Sequence, residues 1–436
     1  MKLPLVQHHT RDSAIAWRDG ERITACEFLS AAHSLAQRLP DRPFVFNLCH
    51  DRYHFLLGFA AALIRGQTSL LPPSRIEQVL AQISTSHFPA YCLIDEPCPG
   101  AGLETVQVRH EPRGGVEETP RIAADARAIV AFTSGSTGTP MPHVKTFGSL
   151  VAVAHATAKR LGFGPGHSIA GTIPAQHMYG IETTITLPMQ CGGALAAGHP
   201  LTPADIAAAL DPLPAPRWLA TTPLHLQACV AEEASLPALC GVICATMPLS
   251  AELCDAAENL TASVIHEIYG CTEAGTVALR RSAATRKFSV CGEASLMQNG
   301  EDTWVAADHL PHPIRLPDRI ALLSEREFIL HGRKTDMVKV AGKRASLAAL
   351  TSELNRIPGV RDGVFYSPER GMRLMAFAVA PGMTEQNVMA ALRQRIDTAF
   401  LPRPLVLLES LPRNSTGKLP REHLAKLAHA VSDVQS

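Results

Sequence analysis

The stretch Thr133-Ser134-Gly135-Ser136-Thr137-Gly138-Thr139-Pro140 follows an apolar, strand-like segment, Ala128 to Phe132. Glycine allows positive φ angles and close backbone approach, so successive N–H groups and hydroxyls in such a loop can surround an anion. The stretch lacks the ending of a P-loop, the glycine spacing of a dinucleotide-binding turn and the Gly-x-Ser-x-Gly of a nucleophile elbow. It therefore predicts a phosphate-binding loop of another kind, with a plain surface loop as the alternative.

Four later segments follow this loop in a fixed order. Each alone is a weak signal, because short polar and glycine-containing segments are common. They are Tyr269-Gly270-Cys271-Thr272-Glu273; Asp318 followed by Gly332-Arg333; Lys339-Val340-Ala341-Gly342-Lys343-Arg344; and Leu411 to Arg421, which contains Gly417-Lys418.

Together the five segments resemble the adenylate-forming superfamily, which comprises acyl- and aryl-CoA synthetases, adenylation domains of peptide synthetases, and luciferases. The resemblance extends from about residue 125 to about residue 425. It implies an enzyme, an AMP-forming acid–thiol ligase, that uses ATP and Mg²⁺ to convert a carboxylic acid to an acyl-AMP. A thiol then takes the acyl group.

This chemistry requires groups that bind the triphosphate, a divalent cation and a group that binds the ribose. It also requires a cation at the attacked phosphorus, because negative charge develops there. The resemblance assigns ATP binding to Thr133, Ser134, Gly135, Ser136, Thr137, Gly138, Tyr269, Gly270, Thr272, Asp318, Arg333 and Lys418.

The expected roles follow from the side-chain chemistry. Glu273 is a hard oxygen ligand suited to Mg²⁺, and Tyr269 offers a flat face for adenine. Asp318 can accept both ribose hydroxyls, although Leu-Pro precedes it where relatives have Thr-Gly. Lys418 supplies a compact ammonium for the α-phosphate. The catalytic residues are expected to be Lys418, Glu273 and Thr272; the alternative for Lys418 and Glu273 is an ordinary surface charge.

The loop departs from the family at one important position. Relatives read Pro-Lys-Gly after the loop, whereas this chain reads Pro140-Met141-Pro142, so a cation near the terminal phosphates is missing. His143 or Lys145 could substitute for it, unless the two prolines direct both elsewhere. A second departure, Ala349 in place of a glutamate, is not expected to inactivate the protein.

The resemblance predicts two domains with a boundary after Arg333. Residues 1–333 are expected to bind ATP and the acid, and residues 334–436 are expected to form a mobile domain that carries the catalytic lysine. The hinge is assigned to Lys334, Thr335 and Asp336, and the thioester step to Gly342, Lys343 and Arg344. One orientation about the hinge would place Lys418 in the site for adenylation, and the other would present residues 342–344 for thioester formation. A rigid C-terminal appendage is the alternative.

The predicted fold class is α/β, with parallel sheets layered with helices in the large N-terminal domain and a small mobile α+β C-terminal domain. Apolar patterns predict a helix over Arg52–Ile64, a strand over Thr68–Leu71 and a helix over Leu150–Arg160. The chain is short for the family, and the segment between Glu273 and Asp318 is brief. We therefore expect a reduced β-barrel subdomain.

The acid pocket is assigned to His177 and Met178 and, on a second segment, to Ala245, Thr246 and Met247. A slot of this composition suits an apolar or aromatic acid; a core histidine is the alternative for His177. The short form resembles ligases of aryl-polyene and xanthomonadin-type pigment pathways, which implies a hydroxybenzoate-like acid and an acyl carrier protein as partner. A basic rim of Lys343, Arg344, Arg413 and Arg421 suits either a carrier protein or CoA.

Composition limits the remaining classes. The formal net charge is zero and the pI is about 7.3, which gives no electrostatic basis for nucleic acid as a partner. No apolar run is long enough for membrane insertion. The eleven cysteines show no paired ligand motif, so we expect reduced core thiols in a cytoplasmic protein. Three functions remain open: an acid–carrier-protein ligase, an acid–CoA ligase and a non-catalytic nucleotide-binding relative.

Overall fold

The structure is a computed structural model that describes residues 1–98, 102–114, 118–134, 140–333, 337–340, 343–368, 373–413, 417 and 419–435. For Ser134, Arg333 and Arg344 only the backbone is described. No helix within these residues is long and apolar enough to cross a membrane.

Six of the twelve α-helices of the described residues begin at a Ser, Thr or Asp whose side chain caps the first turn. The twelve helices are α1 (Ala25–Arg38), α2 (Arg52–Ile64), α3 (Glu77–Ser86), α4 (Phe147–Leu161), α5 (Met178–Ile181), α6 (Leu187–Cys191), α7 (Pro203–Leu210), α8 (Pro223–Ala231), α9 (Ala251–Thr261), α10 (Leu347–Asn355), α11 (Glu385–Arg393) and α12 (Arg421–Gln435).

The strands up to Arg333 are short, and several central strands of the two large sheets are fully buried. In chain order, the described strands are β1 (Lys2–Pro4), β2 (Ala14–Arg18), β3 (Glu21–Thr24), β4 (Phe44–Asn47), β5 (Thr68–Leu71), β6 (Ala90–Ile94), β7 (Thr105–Gln107), β8 (Arg121–Ala123), β9 (Arg127–Ser134), β10 (Pro140–Thr146), β11 (Ser168–Gly171), β12 (Ala194–Ala196), β13 (Arg217–Thr221), β14 (Gly241–Cys244), β15 (Ile265–Cys271), β16 (Gly275–Arg280), β17 (Lys287–Val290), β18 (Ser295–Asn299), β19 (Asp302–Ala306), β20 (Ile314–Arg315), β21 (Asp318–Ser324) and β22 (Glu327–Arg333).

Five strands follow: β23 (Met337–Val340), β24 (Lys343–Ser346), β25 (Asp362–Tyr366), β26 (Met375–Val379) and β27 (Leu405–Leu407). The first two form a hairpin, and the other three form a separate small sheet. Helix α10 packs on β25, and helix α11 packs on β27. These elements share an apolar cluster of their own, so the chain after Arg333 has the α+β composition expected from the sequence.

Two large sheets make up the N-terminal part. One has the order β10-β9-β5-β4-β6-β7, and the other has the order β21-β22-β17-β16-β15-β14-β13-β11-β12-β2-β3. The predicted helix α2 and strand β5 are confirmed with the expected bounds, whereas α4 begins earlier, at Phe147, after the capping residue Thr146.

The expectation of parallel sheets is confirmed for five of the six strands of the smaller sheet, β9, β5, β4, β6 and β7, and for part of the larger sheet. Strands β12, β11, β13, β14 and β15 are parallel, but β15, β16, β17, β22 and β21 pair antiparallel. Short turns connect most of the second group, and such turns allow only antiparallel pairing. A three-stranded sheet, β18-β19-β20, lies between β17 and β21 in the chain. This small sheet matches the expected reduction of the β-barrel subdomain.

None of the eleven cysteines, all of which lie within the described residues, forms a disulfide. Most are buried, as expected for core thiols, but Cys240 is exposed at the start of β14, so the prediction that all are core residues is wrong for this one.

Candidate active site

The candidate site lies beyond the carboxyl ends of the central strands of the larger sheet, and this side of the sheet is called its carboxyl edge below. Strands β11, β13, β14 and β15 run parallel and end there, and ligands of open α/β sheets bind outside the carboxyl ends of such strands. At this edge β15 turns back into β16. A Cβ atom at Gly270 would lie 2.4 Å from the carbonyl oxygen of Gly275, so the tight return of the chain requires glycine at position 270.

Tyr269, Asp318 and Arg333 come together at the end of the antiparallel half of the sheet. Asp318 faces Arg333 directly in the register of β21 and β22. The Tyr269 hydroxyl donates a hydrogen bond of 2.9 Å to Oδ2 of Asp318. The Tyr269 ring is 6% exposed and packs edge-on against Phe328. Three predicted nucleotide-binding residues therefore lie together in the structure.

The predicted phosphate loop connects β9 to β10. Residues 135–139 lie outside the described residues, but the two strands that flank them form an antiparallel pair in which Ser134 faces Pro140. At the base of this hairpin, Oγ1 of Thr133 lies 3.0 Å from Nε2 of His143. The loop therefore sits on a hairpin whose two arms are joined by a side-chain hydrogen bond.

Glu273 lies next to this hairpin. Its side chain is 38% exposed, and its Oε1 is 3.7 Å from Nε2 of His143. Burial lowers the pKa of the His143 imidazole, and Glu273 opposes that shift. Thr272 precedes Glu273 in the same turn and is partly buried. One imidazole therefore contacts both Thr133 and Glu273.

Lys145 does not point toward the loop. Its Nζ donates a hydrogen bond to the backbone carbonyl of Glu273, and the residue is only 7% exposed. Burial lowers the pKa of its ammonium, while the charges of Glu182 and Glu273 raise it. Of the two substitutes considered for the missing loop lysine, His143 remains at the loop, and Lys145 lies beneath the Glu273 turn.

Glu182 supports the same turn from another side. Its Oε2 accepts hydrogen bonds from the backbone N–H of Thr276, at 2.9 Å, and from the hydroxyl of Thr276, at 2.7 Å. Gly275 has a φ of +80°, and a Cβ there would lie 2.4 Å from Oε1 of Glu182. The glutamate is 5% exposed, and burial raises the pKa of its carboxyl group. It begins a π-helical turn, Glu182–Thr186.

The first segment assigned to the acid pocket lies at the same carboxyl edge of the larger sheet. His177 precedes α5 and Met178 begins it, and both are partly exposed. The hydroxyl of the next residue, Tyr179, shares its single hydrogen between the carbonyl oxygens of Thr221, at 3.0 Å, and Ile243, at 2.8 Å. These bonds fix α5 to the ends of β13 and β14.

The second pocket segment follows β14. Ala245 is buried, and Met247 is partly exposed. Thr246 has a φ of +81°, a conformation that costs on the order of 1–3 kcal/mol for a β-branched residue and that clusters at functional sites.

The C-terminal tail motif contacts this segment. Nη1 of Arg413 lies 3.3 Å from the sulfur of Met247 and donates a 2.6 Å hydrogen bond to the carbonyl of Gly417. The same guanidinium makes a bidentate pair with Asp362. Arg413 is therefore turned inward, and its expected place on an exposed basic rim is wrong. Arg421 is exposed, and Lys343 pairs with Asp397.

Gly417 is buried beside the N-terminal domain. A Cβ on it would lie 3.6 Å from Leu224 and 3.9 Å from the hydroxyl of Thr222, at the carboxyl end of β13. Lys418, Gly342 and the assigned hinge, Lys334 to Asp336, lie outside the described residues.

The residues present fit a magnesium ion. Mg²⁺ binds one or two protein carboxylates and takes its other ligands from water and phosphate. Glu273 offers one exposed carboxylate beside the phosphate-loop hairpin. No group of three or more metal-ligating side chains occurs in the described part of the chain, and Mg²⁺ with ATP does not need one.

Glu182 is the site residue that the sequence analysis missed. It stands as a single charge within the apolar and hydroxyl-bearing run Ile181 to Leu187. A lone acid in such a run indicates a buried, hydrogen-bonded carboxylate, but its partner Thr276 lies 94 residues away.

Comparison with known proteins agrees with this geometry. A family model described as AMP-binding enzyme matches residues 74–298, just over half of the chain. A 4-coumarate--CoA ligase of Rhodobacter capsulatus is 28% identical over 68% of this chain and 75% of its own length. Two solved structures share the fold. ATP-bound MatB of Rhodopseudomonas palustris has a TM-score of 0.81, 16% identity and 97% coverage of both chains. The anthranilate CoA ligase AuaEII with anthranoyl-AMP has a TM-score of 0.80, 14% identity and 99% coverage of both.

Proposed function

The chain belongs to the AMP-binding enzyme family and is an AMP-forming acid–thiol ligase, and from that premise we propose that it activates an aromatic, hydroxybenzoate-like acid. The acid reacts with ATP to give an acyl-AMP and pyrophosphate. The acyl group then passes to the phosphopantetheine thiol of an acyl carrier protein. Transfer to CoA is the second candidate, favoured by the CoA ligases among its relatives. A cytoplasmic location is part of the proposal.

One observation carries the adenylation step. Tyr269, Asp318 and Arg333 meet at one end of the sheet, while Glu273 and the base of the phosphate-loop hairpin meet at the adjacent turn. A nucleoside and a magnesium-bound triphosphate need such neighbouring groups. Asp318 would accept from the ribose hydroxyls, and the phosphate loop would hold the β- and γ-phosphates. Glu273 would hold Mg²⁺, which neutralises phosphate charge and fixes the oxygens that it binds.

Lys418 is proposed as the catalytic cation. The residue before it, Gly417, lies beside Thr222 and Leu224 of the N-terminal domain, so the tail motif reaches the carboxyl edge of the sheet. An ammonium there stabilises the charge that develops as the carboxylate oxygen attacks the α-phosphorus and pyrophosphate leaves. Rotation about residues 334–336 would then withdraw the tail and present Gly342, Lys343 and Arg344 for the thiol step.

The aromatic acid is supported by the composition of the proposed pocket. The assigned residues His177, Met178, Ala245, Thr246 and Met247 offer mostly apolar side chains with only a few polar groups, a composition typical of small-molecule sites. The matched relative from Rhodobacter capsulatus is named for 4-coumarate, an aromatic acid.

Pyrophosphate exchange tests the proposal. Exchange is measured with ATP, Mg²⁺ and a panel of hydroxybenzoates, cinnamates and fatty acids; the preferred acid is then offered with carrier protein or with CoA. We expect exchange to be strongest with a hydroxybenzoate and the thioester to form on carrier protein. If no acid supports exchange, the proposed adenylation is wrong and the hypothesis of a non-catalytic nucleotide-binding protein remains. Thioester formation on CoA alone would select the second candidate.

The Lys418→Ala variant addresses the cation directly. We expect loss of exchange by at least about a hundredfold, as for removal of a transition-state charge contact, with ATP binding retained. Lys426→Ala, which removes an exposed lysine of α12, is the control. Exchange that persists in Lys418→Ala would remove this residue from the mechanism.

A further inference from the structure

The turn that carries Glu273 is held from within the protein by two buried charged side chains. Lys145 reaches it from β10 and bonds the carbonyl of Glu273. Glu182 reaches it from the π-helical turn and bonds the N–H and hydroxyl of Thr276. The two contacts flank the reversal between β15 and β16. They therefore restrain the backbone on both sides of the Glu273 carboxylate.

Neither side chain is available to solvent. Lys145 is 7% exposed, and Glu182 is 5% exposed. A buried charge is unfavourable unless an opposite charge and hydrogen bonds compensate for it. The charge of each acts on the other and favours its ionised form. Two buried charged side chains therefore bond this one turn from the protein interior.

Lys145 also joins the turn to the phosphate loop. It lies on β10, the second arm of the loop hairpin, five positions from Pro140. The same strand carries His143, whose Nε2 is 3.0 Å from Thr133 and 3.7 Å from Glu273. One strand thus contacts the side chain and the backbone of Glu273. A shift of β10 would move the loop and the carboxylate together.

We propose that Lys145 and Glu182 are positioning residues that hold the Glu273 turn against the phosphate-loop hairpin, so that the carboxylate and the loop meet a single magnesium–triphosphate unit. This inference rests on the proposed function, since it takes Glu273 as the magnesium ligand. It assigns Lys145 a task other than direct contact with phosphate. This chain, which has methionine at position 141, thus has a lysine next to its phosphate loop. That lysine binds the backbone of the Glu273 turn instead of a phosphate.

The alternative is that the pair serves only the stability of the fold. Residues that orient a metal ligand lower metal affinity by about 10- to 100-fold when they are changed. A purely structural pair would lower stability and leave the contribution of Mg²⁺ to ATP binding unchanged. The two roles therefore differ in a quantity that does not require turnover.

The experiment measures equilibrium ATP binding without any acid, once with Mg²⁺ and once with EDTA. The ratio of the two dissociation constants gives the contribution of Mg²⁺. We expect Lys145→Met to reduce that ratio about tenfold or more while the EDTA value changes little. Glu182→Gln keeps the shape and an oxygen acceptor for Thr276 but removes the charge, and it should reduce the ratio to a smaller degree. Lys287→Met, at an exposed position of β17, should leave the ratio unchanged.

The double variant tests whether the two residues act together. Because both hold one turn, we expect its loss of the Mg²⁺ ratio to be clearly smaller than the product of the two single losses. Its thermal midpoint should exceed that of Lys145→Met, since that single change leaves the Glu182 charge buried without its partner.

Equal Mg²⁺ ratios in wild type, Lys145→Met and Glu182→Gln would overturn the inference. If Lys145→Met does not fold, Glu182→Gln decides the matter by the same ratio. Failure of the proposed function would look different, because the wild-type protein itself would then bind ATP no better with Mg²⁺ than with EDTA.

Discussion

Asp318 shows how two weak sequence signals become one site at the scale of single residues. The residue lacks the usual Thr-Gly before it, yet it faces Arg333 across β21 and β22 and accepts a hydrogen bond from Tyr269. The phenol holds one carboxylate oxygen in place. The other contacts of a ribose would then form without the entropy cost of ordering the side chain.

We predict different losses for the two ends of this hydrogen bond. Asp318→Asn should weaken ATP binding about tenfold or more, because a charged acceptor for two hydroxyls is lost. Tyr269→Phe removes only the orienting bond, worth about 1 kcal/mol or roughly fivefold. Titration calorimetry with ATP checks both. Asp302→Asn, which breaks a pair with Arg315 in the small sheet, serves as control; equal losses in all three variants would contradict the assignment.

Motif order predicted the meeting of Asp318 with Arg333, because a hairpin of fixed length sets its register. Glu182 and Lys145 could not be placed in that way. Their partners, Thr276 and Glu273, lie 94 and 128 residues away, and they meet only because the tertiary fold packs α5 against β16 and brings β10 to the turn between β15 and β16. The role of His143 was open in the sequence for the same reason.

At the scale of elements, the β15–β16 hairpin is the place on the site side of the larger sheet where parallel pairing changes to antiparallel pairing. Apolar patterns in the sequence could not predict this reversal. The change depends on the close approach of Gly270 to the carbonyl of Gly275. A turn this tight fixes where Thr272 and Glu273 leave the sheet.

Gly270→Ala should therefore destabilise the protein and reduce pyrophosphate exchange. Its Cβ would lie 2.4 Å from a backbone oxygen, and overpacking of this kind costs about 1–3 kcal/mol. Chemical denaturation measures the loss in free energy of unfolding. Gly164→Ala is the matched control, because a Cβ there meets nothing within 4 Å, and it should be neutral or slightly stabilising. A Gly270→Ala protein as stable and active as the control would show that the turn tolerates a side chain.

At the scale of the whole molecule, a few polar contacts connect the C-terminal elements to the N-terminal sheet in the described arrangement. Arg356 bonds Glu252 across the two parts at 2.7 Å and Glu353 within its own part at 2.7 Å. The side chain of Gln227 donates to the carbonyl of Arg361. The same arrangement places Gly417 beside Leu224. Contacts this few and this polar are what the proposed alternation between two arrangements would require of this interface.

Glu252→Gln should lower the rate of pyrophosphate exchange while leaving transfer from a supplied acyl-AMP to the thiol acceptor unchanged. The Glu252 side chain of this ion pair is 62% exposed, so the pair stabilises this arrangement by at most about 1 kcal/mol. The expected decrease in the exchange rate is therefore at most about fivefold. Glu353→Gln removes the other carboxylate on the same arginine and should affect neither step. The comparison depends on alternation between two arrangements: a pair present in only one of them can bias only the step that this arrangement performs. Equal effects of Glu252→Gln on both steps would mean that the two parts of the chain do not alternate between the steps.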